Sequence, residues 1–401
     1  MKKKLIFLCE YPFTKHTSFK MEIEELRKKK LNIEINDFSE VIYGKRFSNQ
    51  WKTKIENKTL KFKSLLSWIN YFRKIDKEKT IFWNNIRTFN FNSFVIELIL
   101  RLSNAKIILH HFYDVFSYPQ KKTLKFIAER IFYYKFNIGP YIFFFKVKFL
   151  RFILNLFPFR KVYFLSNNFK YNKIIDTNMK NSKKIDFNSY DYSNYVLFRG
   201  NTRFKNRKYA IYLDGGGPYF SGDRLLNNAK RLEYDNQGYY GTLNIFFKKL
   251  EDHFNIDILI IPHPKYKSNK NKSLNPFFDK NKVINEYDSL PRLSDNCLFF
   301  INYNSTSQSF AVASYKPTIL FYLSKYYIEA PSLKLSREIL ARKLNIKPID
   351  ICNFKIEDIK KNLKINKKKY DLYKYDFLTP KNKSIENISN SQIITNLMKR
   401  I

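Results

Sequence analysis

Short apolar runs that end abruptly in polar turn residues recur along the chain, and helical segments separate them. The runs predicted to form strands are Leu5–Cys9, Leu31–Ile35, Thr80–Trp83, Lys106–His110, Tyr209–Leu213, Ile256–Ile261, Leu298–Ile301 and Pro317–Tyr322. The predicted helices are Ser18–Lys29, Phe94–Leu102, Tyr240–Phe254 and Ser307–Ser314, with Ser18 and Ser93 as N-caps of the first two. Strands that alternate with helices indicate parallel βαβ units, so the predicted fold class is α/β, with two Rossmann-like domains facing a cleft.

The length of 401 residues suits two domains, because single hydrophobic cores stop growing at about 250–300 residues. We predict a first Rossmann-like domain over residues 1–165, a linker region over 166–206, a second Rossmann-like domain over 207–330, and a helical extension with a polar tail over 331–401. Part of that extension is expected to return as a helix and to pack on the first domain.

The net charge of +39 attracts anionic partners through its summed potential. The chain is also rich in Lys, Asn, Ile, Phe and Tyr and poor in Gly and Pro, as AT-rich codons produce, so part of the Lys excess reflects codon bias. Basic residues are spread throughout, and no helix-turn-helix, RNP-like or zinc-finger signature occurs, so nucleic acid is not an expected partner. The expected anionic partners are therefore lipid headgroups and nucleotide or acidic-sugar substrates.

The cysteine and histidine patterns exclude several classes of site. Cys9, Cys297 and Cys352 form no CxxC pair and the histidines form no HExxH motif, so we predict neither a disulfide framework nor a bound metal. The apolar run that begins at Leu5 is too short for a signal peptide, and no apolar stretch of about 20 residues occurs. These features predict a cytoplasmic protein without a transmembrane helix.

Residues of about 119–160 differ from the alternating pattern. The stretch Tyr141–Phe159 is aromatic and aliphatic, but Lys146, Lys148 and Arg151 interrupt it. This composition is typical of a helix that lies in a membrane interface, and we expect the segment to be membrane-proximal. The alternative is a buried connecting helix whose basic side chains reach the surface.

Three polar motifs follow predicted strands in the second half of the chain. The first is Asp214 with Gly215 and Gly216, directly after Tyr209–Leu213, in a protein with only 9 glycines. Ligands of open α/β sheets bind beyond the carboxyl ends of strands, and glycine lets a ligand approach the backbone closely. Asp214 is therefore predicted to lie where a substrate would bind. The alternative is an Asp-Gly turn that only ends the strand.

The second motif is His263, which follows the strand Ile256–Ile261 and stands between Pro262 and Pro264. Because prolines on both sides fix the backbone, the imidazole is held at the end of the strand. There it can donate to a phosphate or act as a general acid.

The third motif is rich in hydroxyl groups and lies between the predicted strand Leu298–Ile301 and the helix that follows it. Its residues are Asn304, Ser305, Thr306 and Ser307. Free amides at a helix N-terminus and nearby hydroxyl groups together bind phosphate without a metal. Ordinary N-capping by Ser305 or Thr306 is the alternative, and the two roles are compatible.

The three motifs, in this order within Tyr209–Tyr322, resemble those of the bacterial sialyltransferases and polysialyltransferases, which have a two-domain GT-B fold. The stretches HPKY and NSTSQSFAVASYKPTILF also resemble a broader group of surface-polysaccharide transferases. The resemblance implies that Asp214 is the general base for the acceptor hydroxyl and that His263 contacts the CMP phosphate and assists its departure. It implies that Ser305 and Thr306 bind the same phosphate.

On this resemblance the chain is an inverting, metal-independent glycosyltransferase that needs no cofactor beyond its donor. It moves an acidic sugar, sialic acid or a related nonulosonate, from a CMP-activated donor to a capsule, lipooligosaccharide or O-antigen glycan. Gly215, Gly216, Pro264, Asn304 and Ser307 complete the expected donor site. The first domain is expected to bind the glycan or glycolipid acceptor, and the enzyme to be peripheral on the inner face of the bacterial membrane.

Two other interpretations remain open at this point. The same fold could use another donor, such as CMP-Kdo, a UDP- or GDP-sugar, or CDP-glycerol. Alternatively, the chain is a non-catalytic, basic, membrane-associated protein of polysaccharide assembly, and its sheets are only a scaffold. Nucleotide binding separates the two enzymatic interpretations from the third.

Overall fold

The computed structural model describes residues 3–45, 59–112, 139–169, 182–200, 207–215, 235–263, 275–325 and 331–401. These residues form two compact units. Unit 1 comprises the described residues up to Phe112, those from Tyr141 to Ser193, and those from Thr379 to the end. Unit 2 takes in Gly139, Pro140 and the described residues from Asn194 to Leu378.

Unit 1 is built on a sheet in which seven described strands pair only in parallel, in the order β3-β2-β1-β4-β5-β6-β7. The strands are β1 (Lys4–Cys9), β2 (Asn32–Asp37), β3 (Thr59–Lys61), β4 (Thr80–Asn85), β5 (Lys106–His111), β6 (Lys161–Ser166) and β7 (Lys183–Asp186). The first six follow the 3-2-1-4-5-6 order of the Rossmann fold.

Helices cover the faces of this sheet, so the central strands are buried on both sides and their sequences are continuously apolar. The helices are α1 (Lys15–Lys20), α2 (Ile23–Lys28), α3 (Ser39–Tyr43), α4 (Leu65–Lys74), α5 (Phe91–Leu102), α6 (Gly139–Asn155) and α7 (Tyr190–Phe198), the last of which runs from unit 1 into unit 2.

Two predicted helix starts in unit 1 were wrong. The single helix predicted over Ser18–Lys29 is two helices, because Thr14 caps α1 and Glu22 adopts a left-handed conformation (φ 55°) before α2. The predicted N-cap Ser93 lies inside α5. Asn90 is the actual cap, and the Ser93 side chain completes a capping box with it.

Unit 2 is built on a second sheet, in which five described strands pair in parallel in the order β12-β11-β10-β8-β9. They are β8 (Tyr209–Leu213), β9 (Asp257–Ile261), β10 (Phe300–Asn302), β11 (Thr318–Tyr322) and β12 (Ile349–Asp350). Counted from the start of the unit, this is the 2-1-3-4-5 order of the flavodoxin-like doubly wound fold. The predicted α/β class with two Rossmann-like sheets is confirmed.

The helices of unit 2 include the long α8, whose apolar face packs on the sheet through Tyr239, Tyr240, Leu243, Phe246 and Leu250. The helices are α8 (Asn236–Phe254), α9 (Ser289–Leu293), α10 (Ser309–Ala313), α11 (Pro331–Leu344), α12 (Ile356–Asn362) and α13 (Lys367–Tyr373), followed by a π-helical turn at Lys374–Leu378.

The chain divides between the units differently from the predicted boundaries. Strand β7 lies in the region predicted to be a linker, and it pairs with β6 at the edge of the first sheet. Residues 331–378, predicted to be part of an extension, belong to unit 2. Only the last stretch, with α14 (Lys383–Glu386) and α15 (Asn390–Arg400), returns to unit 1.

The returning helix α15 is anchored by a buried polar network. The described residues 379–401 therefore pack on unit 1 and do not form the predicted polar tail. Buried Glu22 accepts a hydrogen bond from the Ser391 N–H at 2.8 Å and another from the Ser193 hydroxyl. Asn390 donates to the Ser193 hydroxyl and exchanges hydrogen bonds with the backbone of Asn188. The helix therefore completes the core of unit 1.

Candidate functional site

The structure brings the three sequence motifs of unit 2 to one edge of one sheet. Strand β8 lies between β9 and β10, and Leu213 is in register with both Ile261 and Asn302. Adjacent parallel strands are about 4.8 Å apart, and their carboxyl ends point in the same direction. The residues that follow these three strands therefore emerge side by side.

This edge also contains the topological switch point of the sheet. From β8 the chain passes first to β9 on one side and then to β10 on the other. The connections leave the sheet in opposite directions there, and ligands of open α/β sheets bind in the resulting crevice. Asp214 follows one strand of the crevice, and the hydroxyl-rich motif follows the other.

Asp214 is held firmly at this edge. Its backbone N–H donates to the carbonyl oxygen of Ile261 at 3.0 Å, and its side chain is buried. Gly215 is exposed, has no left-handed φ, and a Cβ added to it would meet no atom within 4 Å. The fold itself does not require glycine at this position. Gly216 lies outside the described residues.

His263 stands two residues beyond the end of β9 and is half-buried. Pro262 precedes it and is buried, so the backbone that leads to the imidazole is fixed on that side. Pro264 lies outside the described residues. The predicted position of His263 at a strand end beside Asp214 agrees with the register of β8 and β9.

The third motif is shaped by a buried side-chain network that the sequence analysis missed. Asn302 is fully buried; its Oδ1 accepts from the Ser305 N–H at 2.7 Å, and its Nδ2 donates to Gln308 Oε1 at 3.0 Å. Gln308 Nε2 in turn donates to the Thr318 hydroxyl at 2.6 Å on the next strand. This network fixes the turn that carries the hydroxyl groups.

The predicted helix after this turn is broken. A 3₁₀ turn over Thr306–Gln308 precedes the five-residue helix α10, and the Ser305 hydroxyl accepts from the Ser307 N–H at 3.3 Å. The predicted helix Ser307–Ser314 was therefore wrong as a single element. A helix so short contributes little macrodipole, so a bound phosphate would depend on the hydroxyl groups and turn amides.

The side chains of the turn differ in exposure. Thr306 is exposed, whereas Asn304, Ser305 and Ser307 are half-buried. The Oδ1 of Asn304 is buried and accepts no hydrogen bond from the described part of the chain. A buried acceptor without a donor is costly, so this atom is suited to receive a hydroxyl or amino group of a ligand.

A buried cation lies at the same edge, and no sequence signal indicated it. Arg337 on α11 is buried, and its guanidinium lies 5.8 Å from the ring centroid of Tyr303 and 4.9 Å from that of Tyr322. Tyr303 follows β10 directly, and Tyr322 ends β11. The two rings therefore hold a permanent positive charge beside the residues that precede the hydroxyl-rich turn.

Unit 1 has a comparable crevice at its own switch point, between β1 and β4. Glu10 follows β1, and its carboxylate accepts from the Arg87 backbone N–H at 2.9 Å and from Arg87 Nε at 2.8 Å. Burial raises the pKa of the Glu10 carboxyl, and the Arg87 cation opposes that shift. The Arg87 side chain is exposed, and its guanidinium lies over the ring of Tyr11, which stacks on Tyr43.

The described residues contain no group of three or more His, Cys, Asp and Glu side chains arranged to hold a metal ion.

No protein-family model and no curated protein matches the chain. Among solved structures, it is similar to Acinetobacter baumannii MurG, with 9% identity, a TM-score of 0.43, and coverage of 99% of this chain and 100% of that one. The wall teichoic acid polymerase TagF is 12% identical, with a TM-score of 0.48 over 99% of this chain and 89% of that one. A UDP-N-acetylglucosamine 2-epimerase is 10% identical, with a TM-score of 0.47 and coverage of 100% of this chain and 97% of that one.

Proposed function

We propose that the chain is an inverting, metal-independent GT-B glycosyltransferase that moves an acidic sugar from a CMP-activated donor to a hydroxyl group of a surface glycan. One observation carries this proposal. Asp214, His263 and the Ser305–Thr306 turn, which are far apart in sequence, follow three adjacent strands at the sheet edge that contains the switch point.

The proposed reaction assigns each of these groups a step. Asp214 accepts the proton of the acceptor hydroxyl. At the same time, the oxygen of that hydroxyl attacks the anomeric carbon from the face opposite CMP. The bond between the anomeric carbon and the phosphate oxygen breaks, and CMP leaves with the bonding electrons. His263 donates to the departing phosphate, and Ser305 and Thr306 bind its other oxygens.

Arg337 adds charge to the donor site in this proposal. The phosphate of CMP gains negative charge as the glycosidic bond breaks, and a buried cation at the same edge stabilises that charge more than an exposed one would. The cation is held between Tyr303 and Tyr322, so it does not need to be ordered when the donor binds.

Unit 1 supplies the acceptor site in the same proposal. The crevice between β1 and β4 offers the exposed Arg87 guanidinium, which the buried Glu10 carboxylate holds in place, for an anionic group. Tyr11 and Tyr43 add aromatic surface beside them. A surface glycan that already carries acidic sugars matches this chemistry.

CMP affinity tests the donor site directly. Titration calorimetry should show that His263→Ala weakens CMP binding, and that Ser305→Ala combined with Thr306→Val weakens it by about 1–3 kcal/mol. His253→Ala is the matched control, because His253 is exposed on α8 in the same unit. EDTA should leave turnover intact. If both site variants bind CMP as tightly as the wild type, the phosphate site lies elsewhere.

A further inference from the structure

The helix α6 exposes a continuous apolar stripe. Its members recur at intervals of three and four residues, so they lie on one face of the helix. They are between 57% and 74% exposed; Ile142, Phe145, Phe149 and Phe152 lie on α6, and Leu156 directly follows it. Such large apolar side chains in one row are rare on the surface of a soluble protein and mark an interaction site.

The opposite face of α6 is fixed to unit 1. Leu154 is buried, and the buried guanidinium of Arg101 donates to the carbonyl oxygens of Leu154 at 2.9 Å and Phe157 at 3.1 Å. The central carbon of the same guanidinium lies 4.4 Å from the ring centroid of Phe159, and its Nη2 pairs with Glu97 Oε1 at 2.7 Å. These contacts fix the rotation of the helix, so the stripe points outward as a consequence of the fold.

Basic residues border the stripe on both sides. At about 100° per residue, Lys146 and Lys148 lie roughly 80° to either side of the middle of the stripe, and both are exposed. Arg151 is exposed as well, but it lies about 140° from the middle of the stripe, closer to Leu154 than to the stripe. The sequence from Gly139 to Arg160 contains no Asp or Glu.

We propose that this face of α6, defined by the stripe and its bordering basic residues, binds an anionic lipid surface. Apolar side chains enter the boundary between headgroups and acyl chains, while Lys146 and Lys148 meet the lipid charges. A second copy of the chain is a poorer occupant, because two such faces would bring like charges together. The proposal does not depend on the reaction proposed above.

The helix would lie on the membrane without crossing it. Among the described residues, no helix is long and apolar enough to span a bilayer. Because the stripe covers one side of α6 and Leu154 faces unit 1, only the outer side chains would enter the lipid. This geometry predicts reversible binding with both a salt-sensitive and a salt-resistant part.

Co-sedimentation of the full chain with vesicles tests the proposal. Vesicles of phosphatidylglycerol and phosphatidylcholine should bind the wild type strongly at low salt, and vesicles of phosphatidylcholine alone should bind it weakly. Phe145→Ser with Phe149→Ser and Phe152→Ser should lower the partition coefficient by at least about 100-fold. The matched control replaces three apolar side chains exposed elsewhere, Leu66, Ile245 and Leu372, by Ser, and it should bind as the wild type does.

A charge variant separates this face from the general basicity of the chain. Lys146→Gln with Lys148→Gln should lower binding to the anionic vesicles by about 30-fold at low salt. Substituting Gln for the exposed Lys367 and Lys368 removes the same net charge and should change binding little.

Either of two results overturns the proposal. In the first, the charge variant and its control lose binding equally, so the net charge alone drives association. In the second, analytical ultracentrifugation without lipid shows a dimer that the Phe145, Phe149 and Phe152 substitutions abolish, and this assigns the stripe to a second copy. Circular dichroism of each variant confirms that its fold is retained.

Discussion

The backbone N–H of Asp214 donates to the carbonyl oxygen of Ile261 across a distance of 3.0 Å. This hydrogen bond joins the first residue after β8 to the last residue of β9, two positions before His263. The acid and the imidazole thus belong to strand ends that cannot move independently. A shared edge of this kind suits a reaction in which one group removes a proton and the other assists a leaving phosphate.

Asp214→Asn should lower turnover by about 100-fold or more, because a general base contributes roughly 10²–10⁴-fold. CMP affinity should change little, since the acid is proposed to act on the acceptor. Steady-state rates and calorimetric CMP titration provide the two readouts. Asp252→Asn, an exposed change in the same unit, is the control. Near-normal turnover would leave Asp214 as a residue that only ends the strand.

Arg337→Gln should weaken CMP binding by about 10-fold or more, because the positive charge proposed to attract the CMP phosphate is lost. The exposed Arg342 lies on the same helix, so Arg342→Gln is a matched control that should keep full affinity. Thermal unfolding of both variants separates lost binding from lost folding. An Arg337→Gln protein that folds and binds CMP normally would show that the cation serves packing alone.

A pH-dependent stability is expected from His110 in unit 1. Its Nδ1 accepts a hydrogen bond from Trp83 Nε1 at 2.9 Å, and the rings of Phe112 and Tyr190 pack beside it. Burial lowers the pKa of His110 to about 3 from its usual 6.5. Below pH 6.5 the unfolded chain therefore binds a proton that the folded chain does not, so the free energy of unfolding decreases as pH falls.

His110→Asn keeps an acceptor for Trp83 and removes the titrating group. Between pH 7 and pH 5 the wild type should lose about 2 kcal/mol more stability than this variant. Urea unfolding at both pH values measures the difference, in which the effects of other titrating groups cancel. Equal losses in the two proteins would mean that the imidazole is protonated in the folded state.

Docking of the C-terminal helix α15 should depend on Asn188. Its Nδ2 donates to the carbonyl oxygens of Ile385 and Ile388, and its backbone N–H donates to Asn390. Asn188→Ala leaves these two partly buried carbonyl oxygens without their donor and should lower the free energy of unfolding by about 1–3 kcal/mol. Asn104→Ala, an exposed change in the same unit, should lower it far less. Chemical denaturation compares the two.

Much of the fold could be predicted from local sequence. The strand Tyr209–Leu213 was predicted with its observed bounds, because a short apolar run buried on both faces of a parallel sheet leaves little ambiguity. Helix starts were harder. Asn90 and Ser93 both suit a cap, and the capping box that uses both becomes visible only in the structure.

Long-range pairing could not be predicted. Strand β7 is short and mostly polar, and it exists because β6 offers it an edge. The region around it was therefore assigned to a linker. The return of α15 to unit 1 was expected. Glu22, which anchors it, lies in the early turns of the helix predicted over Ser18–Lys29, and nothing in the sequence showed that it is buried.

The placement of the candidate site residues was predicted in part. Asp214 and His263 could be located because each follows an apolar run, and strand ends are where ligands of α/β sheets bind. Nothing in the sequence indicated that Arg337 lies near the candidate site, because its position beside Tyr303 and Tyr322 depends on how α11 crosses the sheet. Asn302 and Gln308 were missed for the same reason, since their network is completed by Thr318 on another strand.

Release of nucleotide from a panel of activated donors tests the central claim most directly. The protein would be incubated with CMP-linked acidic sugars, UDP- and GDP-sugars and CDP-glycerol, and the free nucleotide would be quantified with and without EDTA. We expect CMP to be released from a CMP-linked acidic sugar, equally with EDTA, and far more slowly by the His263→Ala variant. Release of only UDP, GDP or a CDP-glycerol product would contradict the proposed donor. No release from any donor, together with no nucleotide binding, would contradict the donor site itself.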